Sequence, residues 1–189
     1  MDIQKTTTPI YNEELSMDIL ILFSGGIDST ACINYFIKRN DKINLLYFNY
    51  GQPNEQLERK AATDVANYYN LELNIISIEG GNVPDGMIPG RNAFILSLSL
   101  LKVPFKNGGV VIGIHDHAIY SDCSESFINL MQNIFNLYHD GRIKILAPFA
   151  HWDKGDIIAY AKAEKIPLEL VYSTSLEKTF YIGKDNNEK

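Results

Sequence analysis

The stretch FSGGIDST at residues 23–30 decides how the rest of this chain is interpreted. It follows an apolar run, residues 19–23, of the kind that forms a buried strand. After it, apolar residues recur at helical spacing between Ala31 and Ile37. A strand that passes through two glycines into a helix forms an anion site, because the unpaired N–H groups of the first helical turn point at the ligand. The sequence therefore predicts a phosphate-binding loop, and the alternative is an N-capped helix that follows a glycine turn.

The side chains of the loop indicate which phosphate group it holds. Its glycines let the backbone approach a ligand closely, and three hydroxyl groups add donors, on Ser24, Ser29 and Thr30. Asp28 is unfavourable beside a bare phosphate, so we interpret it as a magnesium contact or as a charge that awaits one. No lysine lies between Ser24 and Thr30, which excludes the Walker A pattern. The loop is therefore suited to the departing pyrophosphate of ATP and not to γ-phosphoryl transfer.

Composition limits the classes of protein to consider. A chain of 189 residues with 46% apolar content can form one well-packed domain. Its net charge of −6 argues against a nucleic-acid partner, because phosphate binding relies on clustered Lys and Arg. No apolar run is long enough to span a bilayer, no signal peptide is indicated at residues 1–18, and two cysteines cannot support a disulfide framework. We expect a cytoplasmic protein without a membrane partner.

Apolar runs and helical patterns alternate along the chain. Strands are predicted at residues 19–23, 43–49, 71–78, 109–114 and 143–146. Helices are predicted from residue 31, at 53–69, at 92–103, around 127–137 and at 153–165, the last with Asp153 as its N-cap. This alternation predicts an α/β fold with a doubly wound, parallel, five-stranded sheet and right-handed crossovers. Ligands of such sheets bind beyond the carboxyl ends of the strands.

Two of the helical patterns carry predictions about packing. Pro53 suits the first position of the second helix, whose predicted apolar face contains Leu57, Ala61, Val65 and Tyr68. Residues 92–103 are strongly apolar and have the length of a helix, which predicts a buried one.

The loop and four later clusters together carry a family resemblance. Ser-Gly-Gly-x-Asp-Ser resembles the PP-loop of the ATP pyrophosphatase superfamily, whose members adenylate a substrate and release pyrophosphate. NYGQ at 49–52, PGRN at 89–92, YSDC at 120–123 and DK at 153–154 follow it in an order similar to that of the 7-cyano-7-deazaguanine synthase (QueC) family. The resemblance covers residues 18–175 and implies an adenine-nucleotide alpha hydrolase-like domain. An N-terminal arm (1–17) and a polar C-terminal tail (176–189) would flank it.

The resemblance implies an activity and its cofactors. The family converts 7-carboxy-7-deazaguanine into the nitrile with ATP and ammonia, through adenylated intermediates and with Mg²⁺. By resemblance, the chain would bind ATP through Phe23, Ser24, Gly25, Gly26, Asp28, Ser29, Thr30, Tyr50, Gly51 and Gln52. Asn49 stands where the family has an acid, which weakens any metal role at that position. The Mg²⁺ contact, made through ATP, is assigned to Asp28.

The resemblance also implies catalytic and substrate-binding residues. The catalytic set would be Asp28, Ser29, Arg91 and Lys154, with Lys154 neutralising charge on the leaving pyrophosphate. The 7-deazapurine would be bound by Arg91, Asn92, His115, Asp122 and Cys123. In this scheme the Asp122 carboxylate accepts from the N1–H and the amino group of the guanine-like base.

Several of these assignments have a simpler alternative that the sequence leaves open. Arg91 and Lys154 could be solvated surface charges, and Cys123 could be a packing residue. His115 and His117 could form a metal site, but no cysteine or third spaced ligand accompanies them. We therefore place His115 in the substrate pocket.

The chain departs from the family at its C-terminal end. The family has a cluster of four cysteines that binds structural zinc, whereas no cysteine follows Cys123 here, so no zinc is expected. The basic residues that follow Tyr-Gly-Gln in the family are replaced by Pro53, Asn54 and Glu55.

Two functions remain after this comparison with the family. One is ATP-dependent adenylation of a carboxylate, which would be converted towards the amide or nitrile or transferred to an amine. Relatives of the family are encoded in anti-phage operons, and for such a member the acceptor could be a protein. The other is a non-catalytic nucleotide- or deazapurine-binding subunit of a larger assembly. The resemblance implies a homodimer or a subunit of a complex in either case.

Overall fold

The computed structural model describes residues 16–79, 88–115 and 121–172 of the chain. Strands and helices alternate through these ranges. The strands are β1 (Asp18–Leu22), β2 (Lys42–Asn49), β3 (Leu73–Ser77), β4 (Gly108–Ile112) and β5 (Ile143–Leu146). The helices are α1 (Ile27–Lys38), α2 (Glu55–Tyr68), α3 (Arg91–Ser99), α4 (Glu125–His139) and α5 (Lys154–Ala163). No helix in the described ranges is both long enough and apolar enough to cross a lipid bilayer.

The five strands form one parallel sheet in the order β3-β2-β1-β4-β5. The first described strand, β1, therefore lies in the middle of the sheet, with β2 and β3 added on one side and β4 and β5 on the other. This is the predicted doubly wound α/β fold, and the prediction is confirmed. The strand order reverses between β1 and β4, and the crevice beyond the carboxyl ends at such a reversal is where these sheets bind ligands.

Two separate apolar cores cover the two faces of the sheet. Alternate residues of β1 point to opposite faces, so Ile19 and Ile21 belong to one core and Leu20 and Leu22 to the other. Helices α1, α2 and α5 complete the first core, and helices α3 and α4 complete the second. The central strands are consequently buried on both faces, which explains their continuous apolar sequences.

Two sequence predictions about the helices were wrong in part. Helix α2 begins at Glu55 and not at Pro53. Leu57 and Tyr68 are more than half exposed, and the buried stripe of α2 consists of the small side chains Ala61, Ala62, Val65 and Ala66. These small residues let α2 pack closely against the loop that follows β1, and a stripe with Leu57 and Tyr68 would hold it away.

Helix α3 is also shorter and less buried than predicted. It ends at Ser99, and only Asn92, Leu96 and Ser99 are buried along it. Leu101, which falls in the predicted helix, is 79% exposed. By contrast, Asp153 is confirmed as the N-cap of α5: it accepts a bond from the Asp156 N–H at 2.8 Å, and the Asp156 carboxylate accepts one from the Asp153 N–H.

The predicted C-terminal boundary of the domain, at residue 175, lies outside the described residues. The same is true of the proposed tail, 176–189, and of most of the arm, 1–17.

The outer edge of β5 is protected by one side chain of α4. Gln132 donates from Nε2 to the carbonyl of Ile143 at 2.9 Å and accepts from the N–H of Ile145 at 2.7 Å. Its amide therefore binds the strand as a neighbouring strand would. This satisfies backbone groups that would otherwise offer an edge for another chain to pair with.

We predict that Gln132→Leu lowers the free energy of unfolding by about 1–3 kcal/mol, because a buried N–H and C=O lose their partners. Urea unfolding of the variant measures this loss. The control is Gln56→Leu, at an exposed position of α2, where a change within about 0.5 kcal/mol is expected. Equal effects of the two substitutions would contradict the role given to Gln132.

Candidate active site

The loop between β1 and α1 depends on the conformation of Gly25. Its φ of +78° lies in the left-handed region, which side chains disfavour. A Cβ at this position would also lie 2.7 Å from the Ala62 nitrogen and 2.7 Å from the Glu58 carbonyl oxygen. Gly25 is thus required both by its backbone angle and by the close approach of α2.

The hydroxyl groups of the loop close it onto the first turn of α1. Ser29 Oγ and Thr30 Oγ1 both donate to the Gly26 carbonyl, at 3.0 and 2.9 Å. Ser24 Oγ lies 3.3 Å from Ser29 Oγ, and the Ser24 residue is exposed. Thr30 is fully buried, so its hydroxyl shapes the loop, whereas the Ser24 hydroxyl is accessible to a ligand.

An ion pair joins this loop to helix α5. Lys154 Nζ donates to both oxygens of Asp28, at 2.7 and 2.8 Å. Asp28 lies in the first turn of α1, and Lys154 is the first residue of α5. Both side chains remain about one-quarter exposed, so an incoming ligand can reach them. The structure therefore brings together two residues that the sequence analysis predicted separately, 126 positions apart.

Gln52 organises a second group of polar side chains after β2. Its Nε2 lies 3.0 Å from Tyr47 Oη and 3.0 Å from Glu58 Oε2, and its Oε1 accepts from the Tyr50 N–H at 2.9 Å. Gln52 is buried, and its amide is occupied by these protein groups. In this arrangement it holds the NYGQ turn in shape.

Arg91 is the cation of this second group. Its positive charge acts on the Tyr50 hydroxyl and on the Glu58 carboxyl. Burial raises the pKa of the Glu58 carboxyl above its usual range, while the bond from Gln52 and the charge of Arg91 oppose that rise. Burial likewise raises the pKa of the Tyr50 hydroxyl, and Arg91 opposes it.

A cavity at the carboxyl ends of β1, β2 and β4 connects the two groups. Ser24 and Ser29 line it from the first loop, and the described polar residues that line its other side are Tyr47, Tyr50, Gln52, Glu58, Arg91 and Asn92. The end of β4 closes against α1 at Gly113, where a Cβ would lie 2.9 Å from the Ser29 nitrogen.

Asn92 connects α3 to the residues that precede α4. Its N–H donates to Asp122 Oδ2 at 3.2 Å, and its Nδ2 donates to the Asp122 carbonyl at 3.0 Å and lies 3.6 Å from Cys123 Sγ. Asp122 and Cys123 are thereby held next to Arg91, at the start of α3. Burial raises the pKa of the Cys123 thiol and the charge of Asp122 raises it further, which disfavours a thiolate.

Of the two histidines considered as metal ligands, His115 and His117, the structure describes only His115. His115 lies three positions beyond the last residue of β4, at the same edge of the sheet. His117 and Tyr120 fall outside the described residues. Within the described ranges, no group of three or more His, Cys, Asp or Glu side chains could hold a metal ion.

Three residues of the site were missed by the sequence analysis: Tyr47, Glu58 and Gly113. Only Glu58 carried a usable signal. It stands at helical spacing with Ala61, Ala62 and Val65, so a charged residue occupies the apolar stripe of α2. Such a position indicates either a buried partner or a functional site.

A family model described as "Queuosine biosynthesis protein QueC" matches residues 18–82 and 77–179 of the chain. The chain belongs to the QueC family. The 7-cyano-7-deazaguanine synthase of Marinobacter nauticus is 31% identical to it, covering 88% of this chain and 84% of that protein. The synthase of Pseudoalteromonas translucida is 28% identical and covers 90% of this chain and 87% of its own length. The predicted membership of this enzyme family is confirmed.

Solved structures support the fold of this QueC family member. The tRNA thiolase NcsA from Methanococcus maripaludis superposes with a TM-score of 0.53 at 18% identity, covering 85% of this chain and 60% of that one. An NMN synthetase from Francisella tularensis superposes with a TM-score of 0.52 at 17% identity, covering 84% of this chain and 66% of that one. At these identities the likeness concerns the fold alone.

We predict that Glu58→Gln raises the melting temperature at pH values above about 7, because the folded protein no longer carries this buried charge. The raised pKa of Glu58 means that its stabilising contribution is present below the unfolded pKa and is lost as the pH rises through the folded pKa. The gain in the variant should therefore shrink as the pH falls towards 4.5, the ordinary value for this group. Thermal unfolding across this pH range measures it, with Glu55→Gln as the control. A gain that does not vary with pH would contradict the interpretation.

Proposed function

We propose that this QueC family member activates a carboxylate by adenylation, and that its acid is 7-carboxy-7-deazaguanine. In this reaction a carboxylate oxygen attacks the α-phosphorus of ATP, and the bond from that phosphorus to the bridging oxygen of pyrophosphate breaks. The observation that carries the proposal is the lysine-free glycine loop, with Lys154 held beside it by Asp28. The names of the relatives, 7-cyano-7-deazaguanine synthases, support the choice of acid.

The pyrophosphate part of ATP is assigned to the start of α1. The N–H groups of the first turn and the Ser24 hydroxyl lie at this end of the helix, where Asp28 holds the Lys154 ammonium. Lys154 would stabilise the charge that develops on the leaving pyrophosphate. Ser29 and Thr30 would act by holding the loop closed onto the Gly26 carbonyl.

The donor set fits Mg²⁺ that arrives with ATP. Mg²⁺ is usually held by one or two carboxylates together with substrate phosphates, and Asp28 supplies one carboxylate at the loop. When bound, the ion would neutralise phosphate charge. Asp28 would hold it, and Lys154 would then be released from Asp28 to face the anion.

The acid is assigned to the side of the cavity formed by α3 and the residues before α4. Arg91 presents a planar fork that matches a carboxylate or a phosphate, and Asn92, Asp122 and Cys123 are hydrogen-bonded together beside it. Asp122 accepts the Asn92 N–H through Oδ2, so its other oxygen would read the donors of the guanine-like base. His115 would line the same pocket.

The acceptor of the activated group is an amine. Ammonia would carry the acid towards the amide and the nitrile, and an amine on a partner protein would give a conjugate. The chain would work as a homodimer or as a subunit of a larger assembly.

A non-catalytic binding subunit is the second candidate function. Asn49 favours this function, because it stands in place of the family's acid and its side chain makes hydrogen bonds at the turn. Its Oδ1 accepts from the Gly51 N–H at 3.1 Å, and its Nδ2 lies 3.4 Å from Glu55 Oε1.

Pyrophosphate release separates the two candidates. We predict that the chain releases pyrophosphate and AMP from Mg–ATP when 7-carboxy-7-deazaguanine is present, and that 7-deazaguanine without the carboxylate gives none. Chromatography of the nucleotides and a coupled pyrophosphate assay measure both products, with ammonium present and absent. Binding of both ligands without any turnover, with ammonia or with candidate protein acceptors, would favour the binding subunit.

The Asp28–Lys154 pair provides a test of the assigned roles. We predict that Lys154→Met lowers pyrophosphate release by about 100-fold or more, because one cation facing the leaving group is lost. Asp28→Asn should lower turnover and raise the Mg²⁺ concentration needed for half-maximal rate. Lys144→Met, at an exposed position of β5, is the matched control and should leave turnover unchanged. Unchanged turnover in Lys154→Met, with the fold intact by circular dichroism, would remove Lys154 from the mechanism.

A further inference from the structure

Glu58 is the only acidic side chain among the described residues that line the cavity. It stands in the buried stripe of α2, where its neighbours at helical spacing are Ala61, Ala62 and Val65. A carboxyl group at such a position costs free energy, because burial disfavours its charged form. The packing of α2 does not require this charge, so its presence in the cavity indicates a functional role.

Glu58 lies between the two halves of the cavity. Its backbone carbonyl borders the first loop, since that oxygen would lie 2.7 Å from a Cβ on Gly25. Its carboxylate belongs to the other half, where Oε2 accepts a hydrogen bond from Gln52 at 3.0 Å and the charge of Arg91 acts on it. Under the proposed function the loop would hold the phosphates and Arg91 would face the acid. The bond that joins the acid to AMP would therefore form beside Glu58.

One oxygen of the Glu58 carboxylate is open to a ligand. Gln52 is fixed at both ends of its amide, because Oε1 accepts from the Tyr50 N–H and Nε2 lies 3.1 Å from the Phe48 carbonyl oxygen. Gln52 in turn holds Oε2 of Glu58, and the described residues supply no hydrogen bond to Oε1. A protonated amine carries only donors, so it fits an acceptor oxygen of this kind.

The surroundings of Glu58 make its carboxylate a stronger base than an exposed one. Burial raises the pKa of the carboxyl, the hydrogen bond from Gln52 and the charge of Arg91 oppose that rise, and the charge of Glu55 adds to it. A carboxylate with a raised pKa takes up a proton more readily, as general-base catalysis near neutral pH requires. The other titratable groups that act on this position are the hydroxyls of Tyr47 and Tyr50.

We propose that Glu58 binds the acceptor amine and takes its proton as the amine attacks the activated carboxylate. This inference rests on the adenylation proposed above and assigns the step that follows it. The amine nitrogen forms a bond to the carboxyl carbon, and the bond from that carbon to the oxygen of AMP breaks. AMP leaves with the electron pair of the broken bond, and one proton passes from the nitrogen to Oε1 of Glu58. The products are the amide, AMP and a protonated Glu58, so atoms and charges balance.

The two half-reactions can be measured separately. Exchange of labelled pyrophosphate into ATP, with 7-carboxy-7-deazaguanine and no amine, reports adenylation alone, and amide formation with ammonium reports both steps. Glu58→Gln keeps an oxygen acceptor for Gln52 but removes the base. We expect it to lower amide formation about 100-fold more than it lowers exchange. The control is Glu55→Gln, which makes the same charge change one turn earlier on α2 and outside the cavity, and which should keep the wild-type ratio of the two rates.

Two further readouts separate a base from a merely structural carboxylate. Hydroxylamine is largely uncharged at neutral pH and attacks without first losing a proton, so Glu58→Gln should form the hydroxamate with a much smaller loss than it shows for the amide. The advantage of the wild type over Glu58→Gln in amide formation should also shrink as the pH falls through the folded pKa of Glu58, because a protonated carboxyl accepts no proton. The protonation of ammonia is the same for both proteins and cancels in this comparison. Thermal unfolding checks that both variants are folded.

The outcomes distinguish this inference from the function on which it rests. Exchange in the wild type, with equal losses of exchange and amide formation in Glu58→Gln, would overturn the role of Glu58 and leave adenylation standing. An unchanged rate of amide formation in this variant would do the same. Absence of exchange in the wild type would overturn the proposed adenylation, and the role of Glu58 with it.

Discussion

The ion pair between Asp28 and Lys154 links α1 to α5 at the point where a ligand would bind. Asp28 belongs to α1 and Lys154 is the first residue of α5, and both approach the loop after β1. The pair can form only when β4 and β5 have been laid beside β1 and α5 has returned across the sheet. A partly exposed ion pair adds little to stability by itself. The pair matters because it fixes the position of Lys154, the only described lysine that contacts the loop.

The close contacts around this pair explain why the loop tolerates so little change. The absence of a Cβ at Gly25 lets α2 approach the loop, and its absence at Gly113 lets the end of β4 pack against the first turn of α1. On α2, the small side chains of Ala61 and Ala62 allow the same close approach. The loop is thus enclosed by two neighbouring elements at distances that exclude a Cβ. An anion site built from backbone N–H groups needs this rigidity, since the groups must already point at the ligand when it arrives.

The sequence predicted the architecture well because the signals for it are local. Apolar strands alternate with helical patterns, and the N-cap at Asp153 follows from its own side chain and that of Asp156. The stripe of α2 could not be predicted in the same way, because it is set by what α2 packs against. Leu57 and Tyr68 have the right spacing for a buried face, yet the approach to Gly25 selects the alanines.

The candidate site shows the same division between local and long-range information. The glycine loop is visible in eight consecutive residues, 23–30. The pairing of Asp28 with Lys154 and of Asn92 with Asp122 depends on elements far apart in the chain. Glu58 combines local and long-range information. Its place in an apolar stripe is a local signal, but its partner Gln52 and the cation Arg91 are evident only once α2 and α3 meet at the cavity.

These contacts also indicate how an acidic protein could hold the polyanion of the proposed function. Each of the two cations in the site faces a carboxylate: Lys154 contacts Asp28, and Arg91 acts on Glu58. Within these two pairs the positive and negative charges balance, in a chain whose net charge is −6. In the proposed function an anion would compete with the carboxylates for both cations, and a divalent cation held by Asp28 would relieve this competition for Lys154. Under the proposed function, Asp28 would hold Mg²⁺ and Lys154 would then be free to face the leaving group.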